Sequence, residues 1–138
     1  MTPRLLVATD FSTAAAAALD QGRRLGDQLR FDVEVLHVAE DYNADEWRHQ
    51  PSARTWLDTT GTPEAEVVTR SGIPWVEVAR RADEIGATLV VIGSHGRSGY
   101  HPLRLGSTAE RLGSTSPCPV VLVSARQRSP ASKPGVPG

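Results

Sequence analysis

The sequence predicts a single α/β domain in which a mostly parallel, doubly wound sheet carries helices on both faces. The length of 138 residues suits one domain with one core. Short apolar runs, typical of buried strands, alternate along the chain with segments of helical periodicity. Strands that alternate with helices favour right-handed crossovers, and such crossovers make the connected strands parallel.

Five segments of the chain have the composition of strands. The first and fourth, "RLLVATD" and "TLVVIG", are nearly continuous apolar runs, as expected for strands that are buried on both faces. The second, "DVEVLHVAE", alternates before it turns apolar, and the third, "AEVVTRSG", ends at a glycine. The predicted strands span residues 4–10, 32–40, 65–72, 88–93 and 119–125.

The segment after the first strand predicts a long helix. Ser12 or Thr13 would be a good N-cap, and the run of alanines that follows strongly favours a helix. Gly26 predicts a weak point or an early end of this helix, because glycine is a poor helix former.

Two further helices are predicted nearer to the C-terminus. Residues 73–87 carry apolar side chains at helical spacing, with Pro74 in the first turn and Gly86 at the C-terminal cap. A short helix over residues 107–116 follows a long glycine-rich loop.

Residues 41–60 and 126–138 are less regular. The first segment is polar, with Trp47 and Trp56 among its few large apolar groups, and we predict a loop with a short helix there. The second is rich in proline and glycine and predicts a disordered tail. We therefore expect one domain over residues 1–125, followed by the tail.

The charge distribution points to an anionic ligand rather than to nucleic acid. The net charge is −1, but residues 1–90 carry nine Lys or Arg against fifteen Asp or Glu, whereas residues 91–138 carry six against one. A basic C-terminal part raises the local concentration of anions. The basic residues form no run and aromatic residues make up only 5% of the chain, which argues against nucleic-acid binding. A chance asymmetry completed by a basic tail is the alternative.

The sequence also indicates a cellular compartment. A single cysteine excludes an internal disulfide and suits a reducing environment. The apolar run at the N-terminus is too short for a membrane span or a secretory signal. We therefore expect a cytoplasmic protein with no membrane partner.

The loop "GSHGRSGYHPLRLGS" over residues 93–107 is the strongest functional signal. Its glycines let the backbone approach a ligand closely. The helix that begins after Gly106 has free N–H groups at its start, and such a helix start is a natural phosphate site. Arg97 and Arg104 would add charge-assisted bonds to phosphate oxygens, and Asp10 at the end of the first strand would accept from a ribose hydroxyl.

The common phosphate-binding motifs do not fit this loop. No G-x-x-x-x-G-K-[ST] pattern occurs, and no G-x-G-x-x-G follows the first strand. The observed pattern is "GSHG" at 93–96, nine further residues, and "GS" at 106–107.

This spacing resembles the nucleotide-binding motif of the universal stress protein family. "VATDFS" at 7–12 and "LHVAE" at 36–40 resemble the ends of that family's first two strands, and "CPVVLV" at 118–123 resembles its last strand. The resemblance covers the chain up to about Ala125. It implies a five-stranded parallel sheet in the order 3-2-1-4-5, which would bring Asp10 and the glycine loop to one crevice.

The resemblance further implies that the chain binds ATP, possibly together with Mg²⁺. Asp10 would meet the ribose, while Val38 would offer backbone bonds to an adenine that Ala8 borders. The glycines would let the chain pass the ribose and phosphates, and the helix start would hold phosphate. The nucleotide-binding residues implied in this way are Ala8, Thr9, Asp10, Val38, Ile92, Gly93, His95, Gly96, Arg97, Gly106, Ser107 and Thr108.

Family members commonly pair their last strands in antiparallel fashion. The resemblance therefore implies a homodimer through residues 119–125. The composition agrees with this expectation, because "PVVLVSA" would be an apolar edge strand and an exposed apolar edge seeks a partner.

Three functions stay open at the level of the sequence. The first, which we expect, is a regulatory binding module that changes conformation with ATP occupancy. It would hydrolyse ATP slowly at most, because no general base or metal-binding pair of carboxylates is evident. The second is an enzyme of adenylyl or phosphoryl transfer that would use His95 or Ser107. The third is a dimer scaffold that binds no nucleotide.

Several reactive side chains are predicted to be structural. His95 has no neighbouring acid to orient it, so we predict no catalytic role for it. His37 is predicted to be a satisfied histidine of the core or the crevice, and Cys118 a structural residue. The histidines lack metal-type spacing, so no metal site is predicted. Asp10 could alternatively cap the first helix.

Overall fold

A five-stranded parallel sheet lies at the centre of the structure. The computed structural model describes residues 2–40, 44–95 and 106–125. The strands are β1 (Arg4–Thr9), β2 (Asp32–Ala39), β3 (Val67–Ser71), β4 (Ala87–Gly93) and β5 (Val120–Val123). Neighbouring strands pair in parallel in the order β3-β2-β1-β4-β5. The predicted fold class and strand order are confirmed, and every predicted strand end lies within two residues of the observed one.

Helices cover both faces of the sheet. The described α-helices are α1 (Thr13–Leu29), α2 (Pro51–Thr60), α3 (Pro74–Ile85) and α4 (Ser107–Thr115), and short 3-10 turns lie at Glu46–His49 and Glu64–Glu66. Side chains of α1 and α2 pack on one face, and those of α3 and α4 pack on the other. Within the described ranges, no helix combines the length and the apolar character that a membrane span requires.

Alternating residues of β1 separate two hydrophobic cores. Leu5 and Val7 pack with α1 and α2, whereas Leu6 packs with α3 and α4, because successive side chains of a strand point to opposite faces. All three side chains are fully buried. Burial of one such side chain contributes about 1.5–3 kcal/mol, so β1 anchors both layers.

Helix α1 starts where the sequence predicts but runs through its glycines. Ser12 is the N-cap, and its Oγ accepts a hydrogen bond from the Ala15 N–H at 3.1 Å. The predicted weak point at Gly26 is wrong, because the helix continues to Leu29. A β-carbon at Gly26 would lie 2.7 Å from Val33 Cγ2. The glycine therefore permits close packing on the sheet, and this packing offsets its poor helix propensity.

The segment between β2 and β3 is more ordered than a loop with a short helix. After the 3-10 turn at Glu46–His49, helix α2 runs for ten residues from Pro51, which occupies the first helical turn. Trp47 and Trp56 are each only 3% exposed and belong to the core under α1 and α2. Both tryptophans are therefore packing residues of this core.

Helix α3 follows its sequence signals closely. Pro74 lies in its first turn, and the helix ends before Gly86, whose φ of 62° lies in the left-handed region that glycine favours. Cys118 is half-buried and packs against the core under α3 and α4, which agrees with its predicted structural role.

Strand β5 forms one edge of the sheet. Leu122, the third residue of this strand, is 40% exposed. The predicted disordered tail over residues 126–138 lies outside the described residues.

Candidate functional site

A pocket of about 300 Å³ opens at the carboxyl ends of β1, β2 and β4. The strand order reverses at this point, because the chain runs outward to β2 and β3 on one side of β1 and to β4 and β5 on the other. Ligands of doubly wound sheets bind at such a switch point. The 3-10 turn at Glu46–His49 and the starts of α1, α3 and α4 complete the walls. The pocket-lining residues are Ala8, Thr9, Asp10, Phe11, Ser12, Ala15, His37, Val38, Ala39, Glu40, Glu46, Trp47, Gln50, Pro74, Val78, Ile92, Gly93, His95 and Thr108.

Most of the site residues implied by the sequence come together in this pocket. Those that line it are Ala8, Thr9, Asp10, Val38, Ile92, Gly93, His95 and Thr108. Gly106 and Ser107 stand at the start of α4, next to the lining residue Thr108 but not themselves part of the lining. Gly96 and Arg97 lie outside the described residues, as does Arg104.

The turn between β1 and α1 is fixed by its own side chains. Thr9 Oγ1 accepts from the Phe11 N–H at 2.9 Å, and Asp10 Oδ1 accepts from the Ser12 N–H at 3.0 Å. Phe11 takes a φ of 63°, which is uncommon for a residue other than glycine. Because Ser12 is the N-cap of α1, the alternative that Asp10 caps this helix is wrong. Asp10 instead holds the turn and faces the pocket.

Three aromatic side chains lie together at the β2 end of the pocket. The Phe11 ring lies 4.5 Å from the His37 ring and stacks on Trp47 at 5.0 Å, measured between centroids. His37 Nδ1 is 2.9 Å from the Thr9 carbonyl oxygen. Since a carbonyl only accepts, Nδ1 carries the hydrogen and donates it. His37 is therefore a crevice histidine with a satisfied nitrogen, as predicted.

The start of the glycine-rich loop is packed against α1. A β-carbon at Gly93 would lie 2.8 Å from the Ala14 β-carbon and 3.0 Å from the Ala14 carbonyl carbon. The sequence suggested that Gly93 makes room for a ligand, but the contacts with α1 already require a glycine there. His95 Nδ1 lies 2.9 Å from Ser94 Oγ, so this ring nitrogen is engaged by the neighbouring residue.

Backbone hydrogen bonds join the two sides of the glycine-rich loop. The Ser94 N–H donates to the Val123 carbonyl at 2.9 Å, and the Ser94 carbonyl accepts from the Gly106 N–H at 2.6 Å. Gly106 is the N-cap of α4 and offers no side-chain acceptor to the first turn. The start of α4 is thus held at the pocket by backbone bonds, while its cap position leaves the helix N–H groups to other partners.

The charge in the pocket lining is uneven. Glu40 and Glu46 lie at the end formed by β2 and the 3-10 turn, and Asp10 lies in the middle. Among the described lining residues there is no lysine or arginine. The starts of α1, α3 and α4 contribute partial positive charge at this edge of the sheet, because a helix is positive at its N-terminus. The β4 and α4 end is therefore the more favourable place for an anion.

Ion pairs outside the pocket hold the 3-10 turn in place. Arg48 lies over the Trp47 ring at 4.6 Å from its centroid and donates to Glu64 Oε2 at 3.0 Å. Arg54 also donates to Glu64. The hydrogen bond from Arg54, followed by the interactions with Arg48, lowers the pKa of the Glu64 carboxyl below its ordinary value of 4.5. The carboxylate therefore stays charged in the folded protein over an extended pH range.

Several lining residues were not predicted. Glu40 could have been found, because it follows β2 directly and the carboxyl ends of the strands form the site. Pro74 could have been found by the same reasoning, since it starts the helix that follows β3. Phe11 and Trp47 meet only through the unusual turn after β1 and the course of the chain after β2, and no sequence pattern signals that contact.

Comparison with known proteins identifies the family. The model of the universal stress protein family matches residues 1–124. The chain belongs to the universal stress protein family. YxiE, a universal stress protein of Bacillus subtilis, is 28% identical over 148 aligned residues, which cover 89% of this chain and 99% of YxiE. The family resemblance noted in the sequence is confirmed.

Solved structures of universal stress proteins share the fold. UspA from Lactobacillus plantarum superimposes with a TM-score of 0.67 at 22% identity, over 88% of this chain and 97% of UspA. A universal stress protein in complex with cAMP gives a TM-score of 0.67 at 22% identity, over 90% of this chain and 98% of that one. At these identities the likeness supports the five-stranded α/β fold.

Proposed function

We propose that this universal stress protein binds an adenine nucleotide, ATP in the first instance, and serves as a nucleotide-dependent regulatory module. The observation that carries the proposal is the pocket at the switch point of the sheet. It joins an apolar wall, the Asp10 carboxylate and the start of α4, whose cap position has no side chain. Its volume of about 300 Å³ fits the lower end of small-molecule sites.

Each part of a nucleotide has a matching part of the pocket. Ala8, Val38 and Ile92 form an apolar surface suited to the flat base. Asp10 offers carboxylate oxygens to a ribose hydroxyl. The phosphates belong at the start of α4, where helix N–H groups and the hydroxyl of Thr108 are available. Arg97 and Arg104 remain predicted phosphate partners.

The comparison with the cAMP complex supports an adenine nucleotide as the ligand class. That universal stress protein shares the fold and holds an adenine nucleotide. We assign magnesium no protein ligand, because the described residues contain no group of three or more His, Cys, Asp or Glu that could hold a metal. An ion that accompanied ATP would be bound by phosphate oxygens and water.

Hydrolysis is expected to be slow. A fast phosphoryl-transfer site needs a positioned base and charge-stabilising groups around the γ-phosphate. His95 is hydrogen-bonded to Ser94 Oγ, and the carboxylates Glu40 and Glu46 lie at the opposite end of the pocket from α4. We therefore propose that occupancy, rather than turnover, carries the signal.

The proposal includes a homodimer that forms through β5 in the cytoplasm. Strand β5 lies at the sheet edge and exposes Leu122, and an apolar edge strand pairs readily with another copy. The single cysteine suits the reducing cytoplasm. Size-exclusion chromatography with light scattering tests the dimer, and a monomer at micromolar concentration would contradict it.

The first test of nucleotide binding is to identify what the purified protein carries. Protein purified without added nucleotide is denatured, and the supernatant is run on an anion-exchange column. Near-stoichiometric ATP or ADP would support a tight nucleotide site, and the ratio of the two would report hydrolysis. If nothing is released, calorimetric titration with ATP follows, and no binding at millimolar ATP would favour the scaffold function.

A further inference from the structure

Trp47 is one of two tryptophans that look alike in packing but differ in their relation to the pocket. Trp47 and Trp56 are both 3% exposed, and both rings contact Phe11, at 5.0 and 5.5 Å between centroids. The indole N–H of each is buried without a hydrogen-bond partner among the described residues. Only Trp47 belongs to the pocket lining.

The uncharged end of a nucleotide must face Trp47. Glu40 and Glu46 lie at the same end of the pocket as Trp47, and they repel phosphate groups. The start of α4, which attracts phosphate, forms the other end. A nucleotide therefore enters with its phosphates toward α4 and its base toward β2 and the 3-10 turn.

Trp47 is held firmly in that position. Phe11 stacks on its ring, and the His37 ring meets it edge-on at 5.9 Å. From outside, Arg48 covers the ring and is itself bonded to Glu64. A ring that is fixed on several sides cannot yield to a larger ligand, so it sets a firm limit to the pocket.

We propose that Trp47 is a specificity-determining residue that limits the size of the base the pocket accepts. The inference rests on the proposed nucleotide function and adds to it a selection against bases that carry bulky substituents. Replacement of the indole by a smaller side chain vacates the volume that the ring fills beside Phe11 and adds it to the pocket. The enlarged pocket then admits a base that the wild-type protein rejects.

The test compares binding of ATP with binding of enlarged analogues. The analogues carry a benzyl group on N6, or a benzylamino group at C2 or C8, and a further analogue carries a benzyl ester on the γ-phosphate. Wild-type protein, Trp47→Leu and Trp56→Leu are titrated with each by calorimetry. The quantity compared is the ratio of the analogue's Kd to the Kd of ATP, which is insensitive to a general loss of stability.

In Trp47→Leu we expect this ratio to fall at least about tenfold for one or more base-modified analogues, since small volume changes in an apolar pocket alter selectivity by about 10–200-fold. The ratio for the γ-phosphate ester should stay as in wild type. Trp56→Leu should leave all ratios unchanged, because Trp56 does not line the pocket. If Trp47→Leu does not fold, Trp47→Phe gives a smaller gain in the same direction.

The outcomes separate this inference from the function on which it rests. Failure of wild-type protein to bind ATP would overturn the nucleotide function itself. ATP binding with unchanged ratios in Trp47→Leu and Trp47→Phe would overturn the role of Trp47 alone. An equal gain in Trp56→Leu, or a gain for the γ-phosphate ester, would also overturn it, because the effect would then come from loosened packing or from a reversed ligand.

Discussion

The two ends of the pocket are built in different ways. At the β2 end the wall consists of packed aromatic rings and ion pairs, and side chains tie the turn between β1 and α1 and the 3-10 turn at Glu46–His49. At the β4 end the chain passes through glycines, and the cap of α4 has no side chain of its own. Helix α1 shows the contrast within one structure, because Ser12 caps it in the way that α4 lacks.

This difference teaches how one pocket can treat two parts of a ligand differently. A rigid wall of fixed rings is suited to select by shape. The charged side chains that line the pocket at this end are the carboxylates Glu40 and Glu46. We expect a glycine-rich end with an uncapped helix to select by charge, because an anion is a stronger partner than water for the N–H groups at a helix start. The predictions below test this division, from the largest expected effect to the smallest.

Gly93→Val should have the largest effect. The added side chain would meet the Ala14 backbone, which cannot move without shifting the start of α1. We expect a loss of about 1–3 kcal/mol or more in the free energy of unfolding, measured by urea denaturation. Gly113→Ala is the control, because a β-carbon there meets nothing within 4 Å inside α4. It should gain about 0.5–1 kcal/mol. A wild-type midpoint for Gly93→Val would contradict the close packing of α1.

Gly106→Asp should separate phosphate binding from base binding. Its backbone, with φ of −67° and ψ of 156°, accepts any residue, and aspartate is a good N-cap. The fold should therefore keep its stability, whereas the carboxylate repels phosphate from the start of α4. We expect ATP affinity to fall at least about tenfold, a loss of about 1.4 kcal/mol, while adenosine affinity stays unchanged.

The neutral cap Gly106→Asn is the matched variant for this experiment. It should show a smaller loss of ATP affinity, because it competes for the helix N–H groups without adding charge. Equal losses for ATP and adenosine in Gly106→Asp would contradict the placement of phosphate at this end of the pocket.

Asp10→Asn tests the middle of the pocket. The amide oxygen can still accept from the Ser12 N–H, so the turn should persist, but the charge offered to a ribose hydroxyl is lost. We expect ATP affinity to fall about three- to tenfold, since hydrogen bonds to charged groups contribute roughly 1.5–3 kcal/mol and the amide retains part of this. Asp10→Ala should in addition lose about 1 kcal/mol of stability.

A ligand without ribose hydroxyls provides the control for Asp10. Wild-type protein should prefer ATP to 2′,3′-dideoxy-ATP, and Asp10→Asn should reduce that preference. If calorimetry finds the preference unchanged, then Asp10 acts only through the turn between β1 and α1.

Much of this design could be predicted from the sequence because it rests on local patterns. The apolar runs of β1 and β4, the Ser12 cap and the cap at Gly86 each carry their own signal. The prediction of a weak point at Gly26 was wrong because this glycine is needed for a tertiary contact. Only a hydrogen fits between its backbone and Val33, and helix propensity cannot reveal such a contact.

The aromatic wall at the β2 end of the pocket is the part that local reasoning could not reach, although Val38 and His37 of β2 were predicted. Trp47 lies in a polar segment and becomes a pocket wall only through its contacts with Phe11 and His37, which are distant in sequence. The charge-selecting end carries a compact motif, whereas the shape-selecting end is assembled from side chains of separate elements. Sequence reasoning therefore pointed to the start of α4 as the phosphate end, which stays a prediction, and it missed the Trp47 wall.

Glu64→Gln should have the smallest effect, and it acts on the support of that wall. Because Arg54 and Arg48 lower the pKa of Glu64, its charged form is favoured by folding. Its contribution to stability is therefore present above its ordinary value of 4.5 and is lost as the pH falls through the lowered folded value. Urea midpoints of wild type and Glu64→Gln should differ slightly at pH 7 and converge as the pH falls below the lowered pKa of Glu64 in the folded protein.

Glu84→Gln is the matched control for Glu64→Gln. The pKa of Glu84 is likewise lowered, by Arg70 first and then by Arg81, but Glu84 lies on α3 and outside the pocket lining. Both variants should show the same pH dependence of stability. Only Glu64→Gln should relax the rejection of base-enlarged ATP analogues, because Glu64, unlike Glu84, is bonded to the Arg48 that covers Trp47, although Asp45 also pairs with Arg48 at 3.5 Å. Equal selectivity in the two variants would mean that the stacked rings fix the wall without help from the ion pairs.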